Sequence, residues 1–145
     1  MRSAILCTAD AVEEAFYEAM QRGDLEAMMA LWADDEDVLC VHPGSDRFVG
    51  LAAVRESWAR IFRSGHVRIR CTDVHSHTGA VLAVHNVVEQ TLSVDPHGGA
   101  SGGMQIVECI ATNVYVKQAG GWRMMLHHSA LRQGSAGAAA AERLH

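Results

Sequence analysis

The sequence contains no block of lysine or arginine residues, and acidic side chains outnumber basic ones. The chain has 17 Asp and Glu against 12 Lys and Arg, for a net charge of −5 at pH 7 with histidine counted as neutral. Nucleic acids and anionic membrane surfaces attract clustered positive charge. We therefore expect neither a nucleic acid nor a membrane to be the main partner.

Long apolar runs are also missing. No run approaches the roughly 20 residues that an α-helix needs to cross a bilayer. The apolar residues at the N-terminus, Ala4–Cys7, form a run much shorter than the roughly 7–15 residues of a secretory signal core. These two absences predict a cytoplasmic protein.

The cysteines and histidines do not fall at spacings typical of metal ligands. The four cysteines are far apart and form no C-x-x-C pair, which predicts reduced, apolar residues: Cys7, Cys40, Cys71 and Cys109. His75 and His77 share a strand face, but no carboxylate or cysteine completes a ligand set near them. Since phosphate-binding glycine motifs are absent as well, we predict no metal and no cofactor.

The chain is long enough for one globular domain. It has 145 residues, of which 49% are hydrophobic and 20% charged. A domain of this size buries about 68–70% of its unfolded surface. From Gly134 onward the sequence is rich in alanine and glycine and has no packing pattern. We therefore predict one domain over residues 1–133 and a tail over 134–145.

The first half of the chain has the 3.6-residue apolar period of helices. A first helix is predicted over roughly Ala9 to Arg22, with Thr8 or Asp10 as its cap. Gly23 ends it, and Asp24 can cap a second helix that runs to about Trp32. A third helix begins at Leu51.

The rest of the chain indicates β-structure, so the fold class is α+β. Short strands are predicted over 38–41 and 47–49, and longer antiparallel strands over 67–77, 80–94, 104–117 and 122–128. The segments 80–88 and 104–116 are apolar on both strand faces, whereas a strand with one face in water alternates. Three helices can cover only one face of this sheet. We therefore expect a homodimer through the other sheet face.

Several short motifs in this order resemble the nuclear transport factor 2-like superfamily. Within it, the chain is similar to the SnoaL-like domains and to the association domain of calcium/calmodulin-dependent protein kinase II. The likeness spans Asp10 to Leu131 and is carried by Gly23-Asp24-Leu25, Trp32-Ala33-Asp34-Asp35, His42-Pro43, Gly50, Val114-Tyr115-Val116-Lys117, Gly120-Gly121-Trp122-Arg123 and His127-His128-Ser129. It implies a cystatin-like cone, in which three N-terminal helices pack on a curved, mostly antiparallel sheet around an apolar pocket.

Such a pocket needs apolar walls and a few polar groups, and the sequence itself supplies candidates for both. Aromatic side chains are expected to form its walls: Phe16, Trp32, Trp58 and Phe62. His127 and His128 are neighbours in a strand and point to opposite faces, so only one can reach the pocket. By its spacing from Trp122, His128 matches the distal histidine of the kinase association domain. The expected ligand is a small apolar or amphipathic metabolite.

Two residues are candidate general bases. In the ketosteroid isomerases of this superfamily an acidic residue precedes the proline that here is Pro43, and His42 occupies that place. The isomerase tyrosine on the first helix falls at Phe16, and Tyr17 lies about 100° round the helix from it. Glu108 is the second candidate, because SnoaL-like polyketide cyclases carry an acidic base on a late strand. Glu89 could face either a pocket or a sheet edge.

Three functions remain open from the sequence. The leading hypothesis is a small-molecule-binding SnoaL-like protein that encloses a largely apolar ligand. The first alternative is an enzyme like the ketosteroid isomerases or polyketide cyclases, with His42 or Glu108 as general base. The second alternative is an oligomerisation domain. A joint acid–base role requires His42 and Glu108 to meet in one cavity.

Overall fold

The computed structural model describes residues 6–94 and 104–135, so the tail from residue 136 and the glycine-rich loop at 98–103 lie outside the described residues. Three helices precede or interrupt the short strands, and four long strands follow. In chain order the elements are α1 (Ala9–Arg22), α2 (Leu25–Met29), β1 (Leu39–Val41), β2 (Arg47–Val49), α3 (Leu51–Arg63), β3 (Ile69–Thr78), β4 (Leu82–Val94), β5 (Met104–Gln118) and β6 (Gly121–Leu131). No helix in these two ranges is long and apolar enough to span a bilayer.

All six strands form one sheet in the order β2-β1-β6-β5-β4-β3. Every neighbouring pair is antiparallel except β1 and β6, which run parallel. The α+β class with a mostly antiparallel sheet is therefore confirmed. The parallel pair sets Cys40 opposite His127 and Val41 opposite His128. The strand that leads into His42 consequently lies beside the strand that carries both late histidines.

The helix ends follow the predicted capping residues, with one difference in length. The Thr8 hydroxyl accepts a hydrogen bond from the Ala11 amide at 3.0 Å, and Gly23 ends α1 at φ 64°. The second helix ends at Met29 instead of near Trp32. The chain leaves the helix there because the backbone of Leu31 and Ala33 bonds to Met124 of β6, at 2.7 and 2.9 Å.

The sheet has a covered inner face and an open outer face. Buried residues of β4 to β6, such as Ala83, Ala111 and Met124, pack against the helices together with Phe16 and Trp58. On the outer face, large apolar side chains are between 37% and 59% exposed in the single chain: Leu82, Leu92, Ile106 and Ile110. The two-sided apolar pattern of β4 and β5 therefore corresponds to one covered and one uncovered face.

Candidate functional site

Polar side chains from four elements meet between α1 and the inner face of the sheet. Glu13 and Tyr17 are four residues apart and share one face of α1. Residues two or four apart in each strand likewise share the inner face. We call this group the interior polar cluster, and its members are Glu13, Tyr17, His85, Glu89, Asn113, Tyr115, His127 and Ser129, all buried.

Glu13 is the acceptor at one end of the cluster. Its Oε2 atom accepts hydrogen bonds from the Tyr115 hydroxyl at 2.6 Å, from His85 Nδ1 at 2.9 Å and from Asn113 Nδ2 at 3.4 Å. Glu13 is only 8% exposed. A buried carboxylate needs such donors, because it has lost its hydration shell.

Glu89 is the acceptor at the other end. Its Oε2 accepts from the Tyr17 hydroxyl at 2.7 Å and its Oε1 from the Ser129 hydroxyl at 2.6 Å. Burial raises the pKa of Glu89 above its usual value of 4.5, and the two hydrogen bonds only partly oppose this. Burial and the charge of Glu89 also raise the pKa of Tyr17 far above its usual range. Glu89 therefore keeps its proton to a higher pH than a carboxyl in water does.

Asn113 joins the two ends. Its Nδ2 atom donates to the Tyr17 oxygen at 3.0 Å as well as to Glu13, and its Oδ1 atom lies 2.6 Å from His127 Nδ1. The side chain has no exposed surface. One amide thus contacts a carboxylate, a phenol and an imidazole.

His42 and His127 are both neutral at pH 7. Burial, assisted by the neighbouring His128, lowers the pKa of His127 to about 3. Burial and the nearby His127 lower the pKa of His42 to about 4. His42 lies inside the protein, with Nε2 2.9 Å from the Ser57 hydroxyl and its ring edge-on to Trp58 at 4.5 Å. An imidazole with this pKa is a weak proton acceptor near neutrality.

Three of the four aromatic residues expected to form pocket walls pack against one another. Phe16 and Trp58 are buried, and their ring centroids are 5.6 Å apart. Phe62 is half-buried and lies 5.6 Å from Trp58, while buried Trp32 bridges to Met124 of β6. Phe16, Trp58 and Phe62 therefore contact one another in the core.

Glu108 and His128 lie on the outer face, away from the interior polar cluster. Glu108 pairs in register with Gln90, accepts from its amide at 3.0 Å and lies 3.7 Å from Arg132. His128 is exposed, and its neighbour His127 takes the interior position. His42 and Glu108 therefore do not meet in one cavity, because strand alternation places Glu108 on the opposite face of the sheet. The joint acid–base role considered from the sequence is wrong.

An open cleft between α1 and β3 reaches the interior polar cluster. This α1–β3 cleft has a volume of about 660 Å³, and its lining includes the cluster members Glu13 and Tyr17 together with Asp10, Glu14, Glu18, Gln21, Cys71 and Val74. Beside it, β3 contains a register shift between Thr72 and His75, with Asp73 at φ 49°. Burial raises the pKa of Cys71 to about 12, so this thiol stays protonated.

Residues 6–94 and 104–135 contain no group of three or more His, Cys, Asp or Glu side chains arranged to hold a metal ion. The functional groups of the interior polar cluster are carboxyl, phenol, amide and imidazole groups in a low-dielectric interior. Such an arrangement can bind polar atoms and move protons.

Sequence reasoning missed Glu13, Tyr17 and Asn113. A usable signal was present in α1, because Glu13, Phe16, Tyr17 and Met20 follow the i, i+3, i+4, i+7 spacing of one helix face. The buried face of α1 is wide enough to include both Phe16 and Tyr17. Tyr17 therefore faces the sheet even though it lies about 100° from Phe16.

Comparison with known proteins identifies the family. A profile of the SnoaL-like domain matches residues 10–132. A candidate calcium/calmodulin-dependent protein kinase type II association domain from Thiobacillus denitrificans is 36% identical, with 88% of this chain and 98% of that chain covered and a TM-score of 0.75. A candidate dehydratase of the nuclear transport factor 2-like family from Streptomyces avermitilis is 30% identical, with 91% and 97% covered and a TM-score of 0.75.

A plant protein is also similar over part of its length. The F-box protein SKIP8 of Arabidopsis thaliana is 26% identical over 120 residues, which are 83% of this chain and 48% of that protein. The chain thus spans about half the length of this curated relative. The matched profile covers nearly all of the described fold and the whole interior polar cluster. The chain therefore belongs to the SnoaL-like domain family, within the nuclear transport factor 2-like superfamily.

Proposed function

We propose that the protein binds a small molecule in the α1–β3 cleft and moves a proton to or from it through Tyr17 and Glu89. One observation carries the proposal. A buried carboxyl with a raised pKa is hydrogen-bonded, at 2.7 Å, to a tyrosine that lines an open cleft. Perturbed carboxyls of this kind are typical of sites of acid–base catalysis.

The proposed proton transfer balances through the phenol. In the forward direction Tyr17 gives its proton to Glu89 and takes one from the ligand, while the Asn113 amide stabilises the phenol oxygen. In the reverse direction Glu89 returns the proton through Tyr17. Glu89 suits this role better than His42, because burial raises the pKa of Glu89 above 4.5 and lowers that of His42 to about 4, away from neutral pH.

The lining of the cleft supports a ligand class. Asp10, Glu14 and Glu18 place carboxylates around the opening, and these repel an anion. We propose a small, uncharged or cationic carbonyl compound whose proton next to the carbonyl group is removed, as isomerisation and dehydration both require. The 30% identity to a candidate dehydratase supports the same class of reaction.

Binding without turnover is the second candidate function. It is favoured by the position of Glu89, which is 4% exposed and lies behind Tyr17, so that a ligand in the cleft touches the phenol first. In that case the interior polar cluster orients a bound molecule and leaves it unchanged.

Deuterium exchange tests the proposal without knowledge of the natural substrate. A panel of small cyclic ketones and β-hydroxy ketones is incubated with the protein in D₂O, and exchange at the carbon next to the carbonyl is measured by NMR. We expect exchange with the wild type and a loss of at least about 100-fold in Glu89→Gln, given the usual size of general acid–base effects.

Glu108→Gln is the matched control, since it makes the same chemical change on the outer face. Equal exchange in wild type and Glu89→Gln refutes the catalytic role of Glu89. Saturable binding of a panel member that Tyr17→Phe weakens, with no exchange in the wild type, supports the second candidate.

A further inference from the structure

We propose that Asn113 is the positioning residue of this site. Its amide directs the Tyr17 proton to Glu89 and holds His127 in the tautomer whose Nε2 carries no proton. This inference rests on the proposed function for its catalytic meaning, but the arrangement itself can be measured without any ligand.

The orientation of the Asn113 amide is set by its partners. Nδ2 faces two oxygens, the Tyr17 hydroxyl at 3.0 Å and Glu13 Oε2 at 3.4 Å. Glu13 Oε2 already accepts from the Tyr115 hydroxyl and from His85 Nδ1, so a turned amide would place its oxygen against another acceptor. The NH₂ group therefore faces α1, and Oδ1 faces β6.

This orientation decides which nitrogen of His127 carries the proton. Asn113 Oδ1 can only accept, so His127 Nδ1, at 2.6 Å, must donate. A neutral imidazole has one N–H group, and burial holds the pKa of His127 near 3, so the ring is neutral at pH 7. His127 Nε2 is consequently a hydrogen-bond acceptor within the interior, where the ring centroid lies 4.9 Å from Phe16 and 6.4 Å from His42.

The same amide fixes the hydroxyl of Tyr17. A phenol has one proton and accepts at the same oxygen. Because the Tyr17 oxygen accepts from Asn113, its own proton is available to Glu89, at 2.7 Å. Asn113 thus orients hydrogen bonds on its two sides, the one from Tyr17 to Glu89 and the one from His127 Nδ1 to its own Oδ1.

Long-range ¹H–¹⁵N NMR of the histidine rings tests the assignment on the whole protein. The signals of His127 are identified by their loss in His127→Gln. In the wild type we expect Nδ1 to be protonated and Nε2 to be bare at pH 7. In Asn113→Leu, which keeps the volume and removes the acceptor, the Nε2–H tautomer should become the major form. Asn86→Leu is the control, because Asn86 is a half-buried amide bonded to Thr112 on the outer face.

Asn113→Asp gives a second measurement that does not depend on the folding of the leucine variant. A carboxylate in this place stabilises the imidazolium, so His127 should titrate roughly 1–3 pH units higher than in the wild type. The other titratable groups around the ring are His42 directly after β1, His128 beside it on β6 and, through Asn113, Glu13 and Tyr17 on α1.

The positioning role is overturned by an Nε2–H tautomer in the wild type, or by a His127 tautomer and titration that Asn113→Leu and Asn113→Asp leave unchanged. Failure of the ketone panel to exchange would refute the proposed function and leave these NMR results as they are. Failure of the positioning role and failure of the proposed function can therefore be told apart.

Discussion

Glu89 is a carboxyl that folding moves from water into an interior where it is 4% exposed. Its pKa rises above the unfolded value of 4.5, so the folded state holds the proton more tightly than the unfolded state does. The stability associated with this proton is present below pH 4.5 and is lost as the pH rises through the folded pKa. Glu89 therefore lowers the stability of the fold as the pH rises above 4.5.

We expect Glu89→Gln to gain free energy of unfolding relative to the wild type as the pH is raised above 4.5. The amide cannot ionise, so it avoids the cost of a buried charge. Urea unfolding at a series of pH values measures the difference. Glu108→Gln, on the exposed outer face, should show no such trend. A difference between Glu89→Gln and wild type that stays constant or shrinks with pH contradicts the raised pKa.

Some residue roles could not be predicted from the sequence. Strand alternation places His127 and His128 on opposite faces of the sheet, but it does not say which of them faces inward. That choice depends on the register of β6 against β5, and this register shifts between Val114 and Tyr115. The sequence does not decide which face of the sheet Glu108 occupies, because its strand is apolar on both faces. The resemblance aligns the isomerase tyrosine with Phe16 alone, and the sequence does not show that the buried face of α1 is wide enough to include Tyr17 as well.

At the scale of elements, local signals predicted the ends of α1 and the bounds of β2 well. Thr8 and Gly23 act within one turn of the helix they bound, so the sequence carries their effect directly. The second helix was predicted too long, since the backbone bonds of Leu31 and Ala33 to Met124 join residues far apart in the chain. Likewise, β6 extends to Leu131 because Cys109 of β5 pairs with that residue.

The β5–β6 turn contains a glycine that the structure requires. Gly121 has φ 114°, and a Cβ atom there would lie 2.6 Å from the Leu6 carbonyl oxygen and 2.8 Å from Leu6 Cβ. Backbone strain of this kind costs about 1–3 kcal/mol, and the overlap with a backbone atom adds to it. We expect Gly121→Ala to lower the free energy of unfolding by at least this amount in urea titrations.

Gly44→Ala separates the cost of backbone strain from the cost of the close approach to Leu6. Gly44 also has a positive φ, of 75°, but nothing lies within 4 Å of the position of its Cβ. It should therefore lose stability through backbone strain alone. If both alanine variants lose the same free energy, the close approach to Leu6 contributes nothing.

At the scale of the whole molecule, the outer sheet face remains to be covered. Its large side chains Leu82, Ile106 and Ile110 are 47%, 59% and 39% exposed. Glu108 and Arg132 lie 3.7 Å apart and offset each other's charge, so they do not oppose a second copy. We expect a homodimer through this face, in which the copies cover each other's apolar residues.

Ile110 lies on β5, between β4 and β6, so Ile110→Lys puts a charge near the centre of the expected interface. Light scattering at micromolar concentration should give a dimer for the wild type and a monomer for this variant. Val49→Lys is the control, because Val49 is 48% exposed on β2, at the far edge of the sheet. A monomeric wild type contradicts the expectation.

The interior polar cluster ties the beginning of the chain to its last third. Glu13 and Tyr115 are 102 positions apart, and Tyr17 and Asn113 are 96 apart. Contacts of such long range form late, because a long loop must close before they can be made. During synthesis Glu13 stays without its Tyr115 and Asn113 partners until β5 has left the ribosome. Any reactivity of Glu89 that depends on these contacts is therefore absent from the unfinished polypeptide and appears only when the domain is complete.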